Sequence, residues 1–405
     1  MEKLVFPKDF LWGAATSSHQ VEGGTHNNWS EWEKSEGRLY DLAKTGLIEK
    51  YGRDNYISGI GADHYHRFKE DFRLAHGLGH TATRFSIEWS RIEPREGYFD
   101  ADEIRHYQEV VETIKAEAME PFVTLWHWTM PVWFRDKGGF EKKDNIRYFT
   151  EFVAKIVAEL PDVTFWITLN EPEIYTVSCY LQGSWPPQKK NPIIAIHVFH
   201  NLIRAHLASY DAIKKINPDA KVGIAKNNSY FEAYKDRPLN LFFKALFDHF
   251  SNFYFLDHIR NKQDFIGLNN YHHSLIKNGL IRDENKKVSD LWWELYPEAI
   301  FHVLYDLKKY NVPVYITENG LADAEDKDRT WFIVETLKNV HRAILNGVDV
   351  RGYLHWSLMD NFEWAYGFWP RFGLVEIDYV TKTRNPRASA FVYKKICEEN
   401  ALEIP

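Results

Sequence analysis

Eight short strand-forming runs alternate with helix-forming stretches along nearly the whole chain, and few folds can accommodate that rhythm. The runs cover residues 11–14, 83–86, 122–125, 165–168, 222–225, 265–268, 314–317 and 353–356. Each is a short apolar run bounded by turn signals, the pattern of strands covered on both faces. Between them lie periods of three and four, as in Ile104, Tyr107, Val111, Ile114 and Ala118, or Ile146, Phe149, Val153, Ile156 and Leu160. Leu160-Pro161-Asp162 and Asn217-Pro218-Asp219 supply the chemistry that ends two of these helices. Eight strand-then-helix units predict an α/β fold closed into a parallel (β/α)8 barrel, of the TIM type, with its working end at the C-terminal ends of the strands. No linker rich in Pro, Gly or Ser interrupts the 405 residues and no sequence repeat of fixed period is present, so residues 1–405 are expected to form one domain.

Bulk chemistry removes several classes of partner. Fifty basic against 57 acidic side chains leave a net charge of -7 without long runs of one sign, which argues against nucleic acid and anionic membrane. The segment Met1 to Pro7 carries no apolar core like that of a secretory signal, and no apolar stretch reaches bilayer length, so a cytoplasmic protein is expected. Cys179 and Cys397 lack zinc-site spacing and are expected to be buried thiols. Aromatic residues make up 16 % of the chain; a large core must take most of them, and a carbohydrate cleft is another natural use, since Trp is suited to the apolar faces and polar edges of a sugar ring.

Two of the strand runs lead into carboxylates: Thr168-Leu169-Asn170-Glu171-Pro172 after the fourth, and Thr317-Glu318-Asn319-Gly320 after the seventh. Both would therefore face the same barrel mouth. Cleaving a glycosidic bond near neutral pH requires one carboxyl that keeps its proton beside another that has lost its own, and Glu171 and Glu318 are the candidates. Asn170 stands where it can bind a sugar hydroxyl, and Pro172 suits the first turn of a helix. Taken one at a time, a glutamate after a strand is usually just a solvated loop residue; two facing one barrel mouth are harder to dismiss.

Along essentially its full length the chain also resembles family 1 glycoside hydrolases, which are retaining β-glycosidases. The resemblance rests on the two carboxylate motifs together with four others and the tail. These are Phe10-Leu11-Trp12-Gly13-Ala14-Ala15-Thr16-Ser17-Ser18-His19-Gln20-Val21-Glu22-Gly23, Arg84-Phe85-Ser86-Ile87-Glu88-Trp89-Ser90-Arg91-Ile92, Leu125-Trp126-His127-Trp128, Ile266-Gly267-Leu268-Asn269-Asn270-Tyr271, and Trp356-Ser357-Leu358-Met359-Asp360-Asn361-Phe362-Glu363-Trp364. It implies Glu171 as acid/base and Glu318 as nucleophile. Asn170 would hold the sugar 2-hydroxyl, Gln20, His127, Glu363 and Trp364 the other hydroxyls, and Trp356 the floor. Arg84 and Tyr271 would hold Glu318 and keep it ionised, as a cation and a hydrogen-bond donor should. The implied substrates are small β-glycosides or oligosaccharides with a terminal β-D-glucosyl, β-D-galactosyl or β-D-fucosyl residue; no cofactor is expected, and a homo-oligomer is left open.

Glu363-Trp364 favours an unmodified glycone, because a carboxylate there suits neutral hydroxyls and repels a 6-phosphate. A 6-phospho-β-glycosidase and a barrel that binds sugar without cleaving it are the competing readings. His64-Tyr65-His66 looks like a metal pair, but it lies in a stretch, 62–75, with helical spacing, where residues two apart point about 200° apart and cannot share one ion. Residues 226–264 are short for the family and crowded with Phe242, Phe243, Phe247, Phe250, Phe253, Tyr254 and Phe255. The simplest reading is a helix with a wide buried face; the alternative is an apolar surface for another subunit or a flat apolar ligand. Asn270 stands where an aromatic residue is common in the family.

Overall fold

Eight parallel strands close on themselves: Leu11–Ala15 (β1), Ala82–Ser86 (β2), Glu120–Thr124 (β3), Phe165–Asn170 (β4), Lys221–Asn227 (β5), Phe265–Asn269 (β6), Val314–Asn319 (β7) and Val350–Trp356 (β8). The structure, a computed structural model, describes residues 2–284 and 286–404. All eight expected strands are present, in the expected order. β3 starts earlier than its apolar run and leaves Leu125 beyond its end. Pro121 does not break it, because it pairs with Thr83 close to the strand's start, where a missing N–H costs little. Not foreseen were short pairs outside the barrel, notably Glu2–Val5 antiparallel to Ala401–Ile404.

What closes the barrel is a plug of side chains contributed by every strand. Leu11, Ala82, Phe122, Phe165 with Ile167, Ala225, Phe265, Tyr315 and Leu354 form one cluster. Phe122 stacks on Phe165 at 4.3 Å, and Tyr315 meets Phe122, Phe165 and Phe265 at 5.2, 5.3 and 5.5 Å. Strand side chains alternate with a period of two, so the residues two and four positions beyond this plug also point inward, toward the C-terminal mouth.

The helices Ala101–Ala116 and Ile146–Glu159 carry their apolar stripes inward as expected. Ala118 falls outside the first, in a left-handed turn that ends it. The second stops at Leu160 before Pro161, and Pro192–Ile216 stops at Asn217 before Pro218. His64 and His66 sit on the helix His64–Gly77 and bond different carboxylates, Asp71 at 2.8 Å and Asp63 at 2.7 Å. Among the described residues no helix is long and apolar enough to cross a membrane.

One expectation fails. The aromatic segment does form a helix, Pro238–Phe247, but it is turned inside out: Asn240 is buried while Leu239, Leu241, Phe242 and Leu246 are exposed. The polar residues Asn240, Lys244 and Asp248 recur every four and form a stripe that finds partners inside. Asn240 donates to the Tyr234 carbonyl at 2.7 Å, Lys244 to Asp248 at 2.6 Å, and Asn252 to Asp248 at 3.1 Å. The polar stripe faces the protein, bonded except for Asn240 Oδ1, which has no partner among the described residues, and the apolar stripe is left to the outside. Asn270 likewise has a polar role, donating to the Asn228 carbonyl at 2.8 Å.

Truncating the plug tests whether it holds the barrel. Phe122→Ala should cost about 3–5 kcal/mol of stability, read from denaturant unfolding, because its ring neighbours Phe165, Phe265 and Tyr315 sit on three other strands and cannot collapse onto the void.

Candidate active site

The inward positions above the plug carry the site. Arg84 lies two residues beyond Ala82, Asn227 two beyond Ala225, Trp356 two beyond Leu354 and Asn269 four beyond Phe265. Regular alternation does not account for Asn170 and Glu318, each three residues beyond a plug residue, Ile167 and Tyr315. Pairing slips between Ile167 and Asn170 in β4, and between Ile316 and Glu318 in β7; these irregularities turn Asn170 and Glu318 into the mouth. Glu171 follows β4 with φ 41° and ψ 62°, a left-handed conformation costing a non-glycine residue about 1–3 kcal/mol. Its N–H bond to the Ala225 carbonyl at 2.8 Å holds it there, and Pro172 opens the helix Pro172–Thr176 behind it.

Both carboxyls line one cleft of about 470 Å³, together with His127, Tyr271, Trp356, Glu363 and Trp364. Arg84, Asn170 and Gln20 lie behind its wall, fully buried. The two glutamates are each only 4 % exposed, yet their partners differ. Glu318 receives the Arg84 guanidinium on Oε1 and the Tyr271 hydroxyl on Oε2, the latter at 2.8 Å. Burial raises its carboxyl, and Arg84 followed by Tyr271 oppose that rise. Glu171 forms no ion pair among the described residues. Its Oε1 accepts from Asn269 at 2.7 Å and Asn227 at 3.1 Å, leaving Oε2 to carry a proton. Burial first and the charge of Glu318 second hold Glu171 well above the ordinary carboxylate range. The pair thus titrates as a unit in which Glu318 loses its proton before Glu171 does.

Arg84 also fixes the neighbouring hydrogens. It donates to Asn170 Oδ1 at 2.7 Å, so the other end of that amide is the NH₂ group, and this donates to His127 Nε2 at 3.1 Å. The His127 proton must then sit on Nδ1, a buried donor with no partner among the described residues. Burial and then Arg84 keep the ring neutral. The second Asn170 amide proton stays available.

Glu363 lies against Gln20 Nε2 at 3.5 Å and accepts from Trp356. Gln20 also donates to Asn361 Oδ1 and the Phe362 carbonyl, each at 2.9 Å. Expected from the sequence as a carboxylate, Glu363 is instead pushed up to about 8 by burial and by Glu318. At pH 7 it is mainly a neutral acid, and Glu318 becomes the charge that opposes a phosphate. Trp364 stacks parallel to His127 at 5.8 Å, and Trp128 with Trp185 extends the aromatic wall at 4.6 Å.

Asn269 and Asn227, which contact Glu171, were not singled out from the sequence. A signal for both was present: each is the polar last residue of a barrel strand. Glu173 and Lys226, an ion pair 2.9 Å apart behind Glu171, carried no such signal.

Comparison with known proteins agrees with this geometry. The family model for glycosyl hydrolase family 1 matches residues 2–261 and 252–402. β-Glucosidase A of Thermotoga maritima is 31 % identical, over 98 % of this chain and 99 % of its own. A β-glycosidase from Pyrococcus horikoshii superposes with a TM-score of 0.90 at 36 % identity, over 100 % of this chain and 97 % of its own. A Thermotoga maritima β-glucosidase in complex with glucoimidazole superposes with a TM-score of 0.90 at 30 % identity, over 98 % and 100 %. With the two carboxyls in one cleft and these matches running from end to end, the chain belongs to glycosyl hydrolase family 1, as a glycosyl hydrolase of the β-glucosidase type.

Proposed function

We propose that the protein is a retaining β-glycosidase acting on terminal, non-reducing β-D-glucosyl residues of small glycosides, with β-D-galactosyl and β-D-fucosyl residues as further substrates, through a covalent glycosyl-enzyme. One observation carries the reading: two buried carboxyls share a cleft, and a cation and a phenol hold one while only amides hold the other. In the first step Glu318 attacks the anomeric carbon as Glu171 gives its proton to the departing oxygen. Forming the ester removes the charge of Glu318, so the proton affinity of Glu171 falls and it can take a proton from the incoming water. Water then displaces Glu318 and the β configuration returns.

Each remaining group has a task consistent with its surroundings. Arg84 and Tyr271 keep Glu318 ionised and aimed. The free Asn170 amide proton and the His127 Nδ1–H suit the 2-hydroxyl and a neighbouring hydroxyl. Glu363 with Gln20 beside it offers both donor and acceptor to the far hydroxyls, while Trp356 and Trp364 cover the ring.

A 6-phosphate ester would bring its charge against Glu318 and a buried acid, so hydrolysis of a β-glucoside should exceed that of its 6-phosphate by at least about tenfold in kcat/KM, a 1.4 kcal/mol discrimination. The reverse order would mark a 6-phospho-β-glycosidase. Absence of turnover on 4-nitrophenyl β-D-glucoside and its galacto and fuco analogues would mark a sugar-binding barrel.

Glu318→Gln should lower turnover by about 10⁴-fold or more, since no other group can form the ester. Glu171→Ala should lose about 10²–10⁴-fold, and added azide, which needs no general base, should restore turnover and yield the β-glycosyl azide. Recovery of an α-glycosyl azide instead would reverse the two assignments. The pH profile gives a further check. Activity requires Glu318 ionised and Glu171 protonated, so kcat/KM falls on the acid side as Glu318 gains its proton and on the alkaline side as Glu171 loses its own. Tyr271→Phe removes a donor that favours the charged form of Glu318, so the acid limb should move to higher pH.

A further inference from the structure

Buried backbone groups at a strand end need partners, and at Asn227 the usual one is missing. β4 accompanies β5 as far as Ala225, whose carbonyl accepts from the Glu171 N–H at 2.8 Å; there the chain leaves β4 for the helix Pro172–Thr176. Alternate residues of a parallel strand turn their polar groups to the same side, so the N–H and C=O of Asn227 face the place where β4 has ended. Two buried side chains fill it. Glu173 Oε1 accepts from the Asn227 N–H at 2.9 Å, and Lys226 donates to the Asn227 carbonyl at 2.6 Å. Lys226 and Glu173 are themselves paired at 2.9 Å.

Their charge states follow from the hydrogens. Lys226 donates to three acceptors: Glu173 Oε1, the Asn227 carbonyl and the Ser251 carbonyl, the last also at 2.6 Å. A neutral amine has only two hydrogens, so Lys226 is an ammonium, and Glu173 is its counter-ion. Burial disfavours both charges, and each partner opposes that effect on the other.

The clamped residue is one of those that hold Glu171, because Asn227 Nδ2 donates to Glu171 Oε1 at 3.1 Å. A closed ring results. Glu171 leads through Pro172 to Glu173, Glu173 holds the Asn227 backbone, and the Asn227 side chain returns to Glu171. Besides this ion pair, the charged or titratable groups facing Glu171 are Glu318 at the end of β7 and Tyr271 beyond β6, with Arg84 behind Glu318 and His127 and Glu363 lining the same cleft.

Given the reading of Glu171 as the acid/base, on which this depends, we propose that Glu173 and Lys226 are positioning residues for proton transfer: they clamp the Asn227 peptide so that its amide aims Glu171, and as a balanced pair they place no net charge behind it. Neither lines the cleft, so both act through Asn227 and Glu171.

Two aryl β-D-glucosides that differ in leaving group test this. 2,4-Dinitrophenolate departs without a proton and 4-methoxyphenolate needs one, so kcat/KM for the second alone depends on proton donation by Glu171. Glu173→Asp keeps the charge but withdraws the carboxylate from Asn227. It should lower kcat/KM for the 4-methoxyphenyl substrate by at least about tenfold, and for the dinitrophenyl substrate by no more than about threefold. Glu173→Gln keeps an acceptor for Asn227 but leaves the Lys226 ammonium unbalanced, which favours the anionic form of Glu171. Its alkaline limb on the 4-methoxyphenyl substrate should therefore move to lower pH by at least about half a unit, and adding Lys226→Gln, which removes the second charge, should bring it back. Glu363 also ionises on the alkaline side, at about 8, but it acts on both substrates alike, so the difference between the two profiles belongs to Glu171. Glu173→Asp serves alone if Glu173→Gln does not fold. The proposal is overturned if the Glu173 variants affect the two substrates equally, or if the limb stays in place in Glu173→Gln. Leaving-group sensitivity in Glu171→Ala without any in the Glu173 variants overturns this proposal alone; its absence from Glu171→Ala overturns the acid/base reading with it.

Discussion

Everything in the cleft hangs from one buried guanidinium. Arg84 is fully enclosed and donates in three directions, to Thr124 at 2.9 Å, to Glu318 and to Asn170 at 2.7 Å. Through it β2, β3, β4 and β7 share a single rigid node. A guanidinium stays charged even when buried, so its burial demands an anion, and Glu318 is that anion. The same fork orients the Asn170 amide, and through that amide sets which nitrogen of His127 bears the proton. A planar group of fixed geometry thus determines the position of one carboxylate and the donor pattern offered to a ligand.

The asymmetry between the two glutamates follows from where that cation is placed. Their burial is the same, so desolvation alone would raise both carboxyls alike. Arg84 and Tyr271 oppose the rise at Glu318, whereas Glu171 receives only two amides and the repulsion of its neighbour. The same negative charge extends to Glu363 and helps make a third buried glutamate a neutral acid near pH 7. Three side chains of one chemical type thus do not share one charge state: Glu318, against Arg84, is the anion, while burial and the charge of Glu318 hold Glu171 and Glu363 up.

The aromatic residues divide between several uses. Phe122, Phe165, Phe265 and Tyr315 fill the barrel beneath the site, and Trp128, Trp185, Trp356 and Trp364 shape the cleft above it. Those of the 238–254 segment belong to neither group. They remain outside because Asn240, Lys244 and Asp248 have buried partners, and hydrogen bonds of buried polar groups outweigh the preference of a few apolar side chains for the interior. Helical periodicity reveals that such a segment has two faces without revealing which one packs inward. The inverted helix was for that reason not legible in the sequence, although its existence was.

The eight barrel strands, their order, the helix ends at Pro161 and Pro218, and the two strand-end glutamates could all be read from the chain itself. These depend on local chemistry: short apolar runs, periods of three and four, and residues that cannot continue a helix. Asn269 and Asn227 were half visible, as polar residues closing strands, but their contact with Glu171 joins strands far apart in sequence. Packing alone brought about the rest. The slips in β4 and β7 that aim Asn170 and Glu318, the routing of the Asn170 amide, the neutral state of Glu363 and the outward turn of Pro238–Phe247 all arise from contacts between distant segments. Local sequence carries no record of such contacts, because burial and charge at a point depend on everything the fold gathers around it.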